Sequence, residues 1–238
     1  MGEIQIPGPR GPVIGYLAVP PAEGQRGAGV LVLPEAFGLN DDIRAHADHL
    51  AGAGYVAFAP DLYAWGPKVR CVASTFVNLA RGSGRAFDDI EVARAFLAGH
   101  ERGTGRVGVI GFCMGGGFAI ALAPRRGFAA AAPNYGLVPR HAEHLLADAC
   151  PVVASYGARD WMLRGHAARL EKALTAAGIP HDVKEYPDSG HSFLNHHTGK
   201  AAAMDQILRT GYNPASAEDA WSRILSFFAD HLQNSDNG

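Results

Sequence analysis

The chain has 238 residues, 47% hydrophobic and 18% charged, which is ample material for a buried core and too little charge for disorder. Its 21 Lys+Arg nearly balance 23 Asp+Glu for a net charge of −2, with no like-charge block, so neither nucleic acid nor a membrane surface is expected as a partner. Three scattered cysteines (Cys71, Cys113, Cys150) exclude a disulfide framework and a C-x-x-C zinc site, and no apolar run approaches the ~18 residues of a membrane span.

The opening residues lack the basic and apolar regions of a signal peptide, so the expectation is a cytoplasmic protein with reduced thiols. One domain is expected over residues 1–233, with 234–238 as a disordered tail. Glu3–Ile6 and Val13–Val19 read as a β-hairpin. Gly29–Leu33 is a continuous apolar run, the mark of a strand buried on both faces. Asn40 caps a helix with Asp41 and Asp42 in its first turn, a stripe of Ile43, Ala47 and Leu50, and Gly52 and Gly54 at its end. Tyr55–Ala59 is the next strand.

Ile90, Ala93 and Leu97 then mark a helix, Arg106–Ile110 a strand, and Met114–Ala123 a helix. Phe128–Ala132 and Pro151–Tyr156 are strands. Leu163, Ala167, Leu170, Leu174 and Ala177 recur at helical spacing until Gly178. His181–Tyr186 is a strand, and Asn213-Pro214 opens a last helix carrying Trp221, Ile224, Leu225 and Phe228. This alternation predicts an α/β class: a mostly parallel twisted sheet flanked by helices on both faces. Ligands then bind beyond the carboxyl ends of the strands.

Gly111-Phe112-Cys113-Met114-Gly115 sits between a predicted strand and a predicted helix. This is the G-x-S-x-G elbow with cysteine in the serine position. A sharp turn crowds the residues flanking its centre, hence glycine there; Gly116 and Gly117 let the helix approach the sheet. The helix N-terminus aims at the side chain and favours a thiolate. A small buried cysteine in a Gly-rich turn is the plain alternative. Cys150, at a strand entrance, and Cys71, in a loop, read as structural.

Asp160 follows the strand Pro151–Tyr156 and His191 follows His181–Tyr186. Asp160 alone would make a good helix cap. Nucleophile, acid and histidine nevertheless come in the chain order of α/β-hydrolases, each at a strand's carboxyl end. In this reading His191 takes the thiol proton and later activates water, and Asp160 fixes its tautomer. The loop after Gly29–Leu33 would supply the Ala36 N–H to an oxyanion hole, with Met114 N–H as the second donor. His196 and His197 raise a metal site with His191. No carboxylate lies at ligand spacing and a surface loop accounts for them, so no metal or cofactor is expected.

Glu35 to Asn40, Pro60-Asp61-Leu62-Tyr63, Gly111 to Gly116, Gly157-x-x-Asp160 and Gly190-His191-Ser192-Phe193 run in order through nearly the whole chain. With these pieces the sequence resembles the dienelactone hydrolase family, α/β-hydrolases of the carboxymethylenebutenolidase type. The resemblance implies that a cysteine nucleophile opens enol-lactones such as dienelactone. It also implies that the resting thiol pairs with Glu35 until substrate displaces it, so that the thiolate forms against the histidine. Family members that act well on dienelactone hold its carboxylate with two arginines. The position four past the histidine is Asn195 here, and the segment after P-D-L-Y, Ala64 to Arg70, is shorter, which leaves Arg70 and Arg81 as replacements. Asparagine cannot supply the charge-assisted pair that arginine makes. Tyr63, Trp65 and Phe76 suggest either an aromatic-walled pocket or a satellite core; Phe37, Tyr135 and Phe193 complete the candidate substrate-binding residues.

The expected function is hydrolysis of a small ester or lactone by a Cys113 acyl-enzyme, in a monomer or small homo-oligomer. A thioesterase or a general aryl or alkyl esterase would use the same residues. A class I glutaminase would carry its acid two residues after the histidine, where Phe193 stands. A non-catalytic ligand-binding or redox-sensing protein would have no need to keep Glu35, Cys113, Asp160 and His191 together.

Overall fold

The computed structural model describes residues 1–125, 127–197, 202 and 210–233. The expected tail at 234–238 lies outside them. Eight strands form one sheet: β1 (Gly2–Ile6), β2 (Val13–Ala18), β3 (Gly27–Leu33), β4 (Val56–Pro60), β5 (Gly103–Phe112), β6 (Ala130–Asn134), β7 (Val152–Gly157) and β8 (His181–Tyr186). Their order is β1-β2-β4-β3-β5-β6-β7-β8, with β1–β2 and β2–β4 antiparallel and all other pairs parallel. β3 is buried along its whole length, as its unbroken apolar run requires.

The helices whose bounds lie among the described residues are α1 (Asp41–Gly52), α2 (Lys68–Arg81), α3 (Arg85–Gly99), α4 (Met114–Leu122), α5 (Ala142–Leu145), α6 (His166–Ala177) and α7 (Pro214–Phe228). They cover both faces. A Cβ on Gly29 would meet Leu97 of α3 at 2.9 Å, while one on Gly108, which pairs with the next β3 residue, would meet Leu232 beyond α7 at 2.8 Å. Successive positions on a strand point to opposite faces, so α3 and the α7 end lie on opposite sides. The caps are as expected: Asn40 Oδ1 accepts from Ile43 N at 2.9 Å, Asn213 Oδ1 from Ser216 N at 3.3 Å, and Gly178 ends α6 at φ 66°. Among the described residues no helix is long and apolar enough to cross a membrane.

Two local expectations are corrected. Leu163 is not the start of a long helix. It closes a 3₁₀ turn, Trp161–Leu163, and Gly165 at φ 77° separates that turn from α6. The segment after Tyr63 is also more than a loop, because α2 runs through it and carries Cys71, buried, on its first turn. Its stripe of Val72, Phe76 and Leu79 has helical spacing, but Pro67 at the N-cap offers no capping side chain to announce it.

Candidate active site

The four candidate catalytic residues, Glu35, Cys113, Asp160 and His191, leave the sheet at one edge. In the parallel register Leu33 of β3 pairs with Gly111 of β5, so Glu35 and Cys113 each lie two residues past a matched pair. Asn134 of β6 pairs with Phe112 and with Ser155 of β7, and Gly157 of β7 with Tyr186 of β8. Tyr135, Asp160 and His191 follow those strand ends.

Cys113 sits at φ 53°, ψ −109°, on a hard turn between β5 and α4. A Cβ on Gly111 would lie 2.0 Å from the Gly115 carbonyl oxygen, and one on Gly115 would lie 2.2 Å from that of Leu33. Neither glycine has a positive φ, so both are required by backbone approach alone. Gly116 abuts the Asn134 carbonyl in the same way, at 2.5 Å. Gly117 does not face the sheet as expected; it turns to Leu79 of α2, 3.0 Å from its Cβ position. Non-glycine residues with positive φ among those described are Cys113, Tyr135 at 39° and Ser192 at 59°, all of them at this edge. Such concentration of strain is characteristic of functional sites.

His191 Nδ1 lies 2.6 Å from Asp160 Oδ2. A carboxylate only accepts, so Nδ1 carries the proton and Nε2 is left for Cys113. Asp160 is buried, and its Oδ1 also accepts from Met162 N at 3.0 Å, so it is cap and orienting acid at once. Burial works against the charged form of His191. The hydrogen bond that Nδ1 donates to Asp160, and then the hydrogen bond and charge of Cys113, outweigh it, and the imidazole is pushed up to about 10. The imidazolium is therefore the favoured form of His191.

Glu35 is buried within the same cluster, but its carboxylate is held by partners the sequence reading did not assign. His197 Nε2 donates to Oε1 at 2.6 Å and Ser192 Oγ approaches Oε2 at 3.5 Å. The expected resting pair of Glu35 with the thiol is thus replaced by Glu35–His197. His197 is not on an exposed loop either: its side chain is 5% exposed and stands edge-on to Phe37 at 5.3 Å. Six residues past His191, it offered no spacing signal that would single it out.

The proposed oxyanion donors have fixed peptide planes. The Glu35 carbonyl accepts from Gly38 N at 2.9 Å and the Cys113 carbonyl from Gly117 N at 3.0 Å. In each trans peptide the following N–H, of Ala36 and of Met114, points the opposite way. Tyr63 Oη donates to the Ala36 carbonyl at 3.2 Å and lies 3.7 Å from Met114 Sδ. Burial first, then the nearby Asp61 and Cys113, raise its pKa, so the phenol keeps its proton. Tyr63 thus links the Ala36 carbonyl to the Met114 side chain.

The remaining candidates separate. A cavity of about 400 Å³ opens on Cys113 and His191, and Tyr135 lines it. Phe37 is exposed, with its carbonyl accepting from Lys68 Nζ at 3.1 Å. Trp65 lies under the Arg85 guanidinium at 5.1 Å and Phe193 is buried between Tyr135 and Tyr186; neither lines that cavity. Asn195 is buried and does not line it: its Nδ2 donates to Asp42 Oδ2 at 2.7 Å and its Oδ1 accepts from Tyr135 Oη. Arg70 and Arg81 are exposed on α2 and reach the cavity with neither side chain. Cys150 is pushed up to about 12 by burial, as suits an inert thiol. Among the described residues no group of three or more His, Cys, Asp or Glu is placed to hold a metal ion.

A parallel sheet with an elbow after one strand, an acid after a later one and a histidine after the last defines an α/β-hydrolase fold. The chain covers 96% of itself and 97% of the crystal structure described as a putative dienelactone hydrolase from Klebsiella pneumoniae, with TM-score 0.78 and 27% identity. A dienelactone hydrolase-like promiscuous phosphotriesterase from metagenomic libraries matches with TM-score 0.80 at 23% identity, over 97% of both chains, and shares the fold. The family model for the dienelactone hydrolase family matches residues 13–232, and the chain belongs to that family. A protein of Methylorubrum extorquens named putative carboxymethylenebutenolidase is 30% identical over 97% of this chain and 81% of its own. The protein is accordingly a hydrolase of the dienelactone hydrolase type.

Proposed function

We propose that the protein hydrolyses a small carboxylic ester or enol-lactone through a thioester on Cys113. The observation that carries this reading is His191, held at 2.6 Å by Asp160 and ionised against Cys113 at the strained elbow. His191 takes the thiol proton on Nε2, and the sulfur attacks the ester carbonyl carbon. The carbonyl electron pair moves onto oxygen, where the Ala36 and Met114 N–H groups receive it. The tetrahedral species collapses, the C–O bond to the alcohol breaks, and His191 returns its proton to the leaving oxygen. Water then gives a proton to His191 and its oxygen to the acyl carbon, and the C–S bond breaks to release the acid. Asp160 stabilises the imidazolium in both halves. The Glu35–His197 bond holds the neighbouring carboxylate away from the thiolate that must form, since like charges close together raise each other's cost.

Rapid-quench mass spectrometry with a slowly deacylating ester tests this. An acyl mass on the Cys113 peptide, absent in Cys113→Ala, is the expected result. Full activity in Cys113→Ala overturns it.

A further inference from the structure

We propose that the substrate is a neutral ester or thioester with an unbranched apolar acyl chain, laid from Cys113 across Gly117 into a second apolar cavity. The inference rests on the Cys113 acyl-enzyme reading and names its substrate class. The cavity at Cys113 holds about 400 Å³. At about 30 Å³ per water-sized group, that is room for on the order of a dozen methylene-sized groups. Phe76, Leu79, Ala80, Leu137, Met162 and Leu163 supply its walls, and among the described residues no side chain with a permanent charge lines it. Its polar groups belong to the reacting pair, Cys113 and His191, and to Tyr135, whose hydroxyl is already bonded to Asn195.

Two further features point the same way. Leu137 (60%), Met162 (47%) and Phe76 (44%) are exposed at this cavity, a cluster of large apolar side chains left in water unless a ligand covers them. A second cavity of about 400 Å³ then continues beside the first, sharing Leu79, Ala80, Gly117 and Leu137. Ile120, Ala121, Pro139 and Leu145 line it, together with Arg81 and His141. Gly117 lies at the junction. It has no side chain where any other residue would close on Leu79, and a positive φ does not explain it. Two mainly apolar cavities that adjoin at Gly117, the first of them opening on the nucleophile, fit an extended alkyl chain. A carboxylate placed in the first cavity would meet, among the described residues, no cation but His191, which is already held by Asp160.

The test is the kcat/KM series for p-nitrophenyl esters from acetate to octanoate, with the hemisuccinate ester as the charged counterpart of the pentanoate. Wild type should gain roughly two- to fourfold per methylene, up to the value of ~0.8 kcal/mol for a buried methylene. The hemisuccinate should fall below the pentanoate by about a hundredfold or more. Gly117→Val should lower the octanoate-to-acetate ratio by about tenfold or more by filling the junction. Leu137→Asp, at an exposed position where folding is not at stake, should lower the same ratio. A flat length profile, or a hemisuccinate that matches the pentanoate, overturns the channel proposal. If those esters are still cleaved through Cys113, the acyl-enzyme reading stands. Hydrolysis that survives Cys113→Ala overturns both.

Discussion

Replacing Asp160 by Asn is the sharpest probe of the site, because it removes one charge and alters almost no volume. The carboxylate lies 2.6 Å from His191 Nδ1 and is buried, so its contribution is not screened by water. A shift of the imidazole from about 6.5 to about 10 corresponds to about 5 kcal/mol in favour of the imidazolium. Asp160 and Cys113 share it, so roughly 2–3 kcal/mol leaves with the carboxylate, a factor of roughly 30 to 150 in formation of the ion pair. The amide can also present its NH₂ to Nδ1 and place the ring proton on Nε2, where it cannot accept from the thiol. Together these effects predict a kcat loss of roughly 10²- to 10⁴-fold. Ring resonances of His191 should titrate near pH 10 in wild type and markedly lower in Asp160→Asn. Because the folded value lies above the unfolded one, the interaction stabilises the fold fully below about pH 6.5 and loses that contribution as pH rises through about 10. An unchanged His191 titration with unchanged kcat in the variant would refute this assignment.

His191→Ala should cost roughly 10³-fold or more in kcat while KM for short esters changes little, and a wild-type kcat would assign the base elsewhere. His197→Ala should strip the buried Glu35 of its 2.6 Å donor, lowering stability by about 1.5–3 kcal/mol in urea denaturation; it should also slow iodoacetamide alkylation of Cys113, because the released carboxylate opposes the thiolate. Equal alkylation rates would show that Glu35 does not sense the sulfur. Asn195→Leu removes partners from both Asp42 and Tyr135 inside the fold, and about 2–5 kcal/mol of destabilisation should appear in the same assay. Gly111→Ala, with a Cβ 2.0 Å from backbone oxygen, should yield no folded protein, and a soluble active variant would contradict the elbow geometry.

Much of this was legible because periodicity and backbone sterics are written locally. The apolar run of β3, the Asn40 and Asn213 caps and the Gly178 stop each follow from a few neighbouring residues. The elbow was legible for the same reason: Gly111 and Gly115 record backbone contacts within a single turn and its neighbouring strand. Side-chain pairings across long separations were not. Glu35–His197 spans 162 residues and Asn195–Asp42 spans 153, and nothing near either end names the other. Asn195 was therefore read as a pocket residue, though its side chain is spent on internal hydrogen bonds. Helix α2 escaped because its start has a proline and no capping side chain, and with it went Leu79 and Ala80 of the cavity wall, though Phe76 on the same helix is among the aromatic pocket candidates.

The loop from His191 to His197 shows how the site accommodates two buried carboxylates beside an ionisable sulfur. Each acid has its own imidazole at 2.6 Å, Asp160 with His191 and Glu35 with His197, and both imidazoles come from this one loop. The loop is anchored between them, where Asn195 bonds Asp42 of α1 and Tyr135 after β6, and Gly211 N and Asn213 N donate to the His191 and Phe193 carbonyls. Asn195, absent from the cavity, thus fixes the spacing of the two histidines. The strained φ at Ser192 follows from holding both ends of a seven-residue loop while turning His191 toward the elbow and His197 toward Glu35. With Glu35 satisfied by His197, His191 is the imidazole left to face Cys113 in the proposed mechanism. In the proposed mechanism the apolar walls serve the same end, since a low-dielectric surrounding strengthens the thiolate–imidazolium attraction on which that mechanism rests.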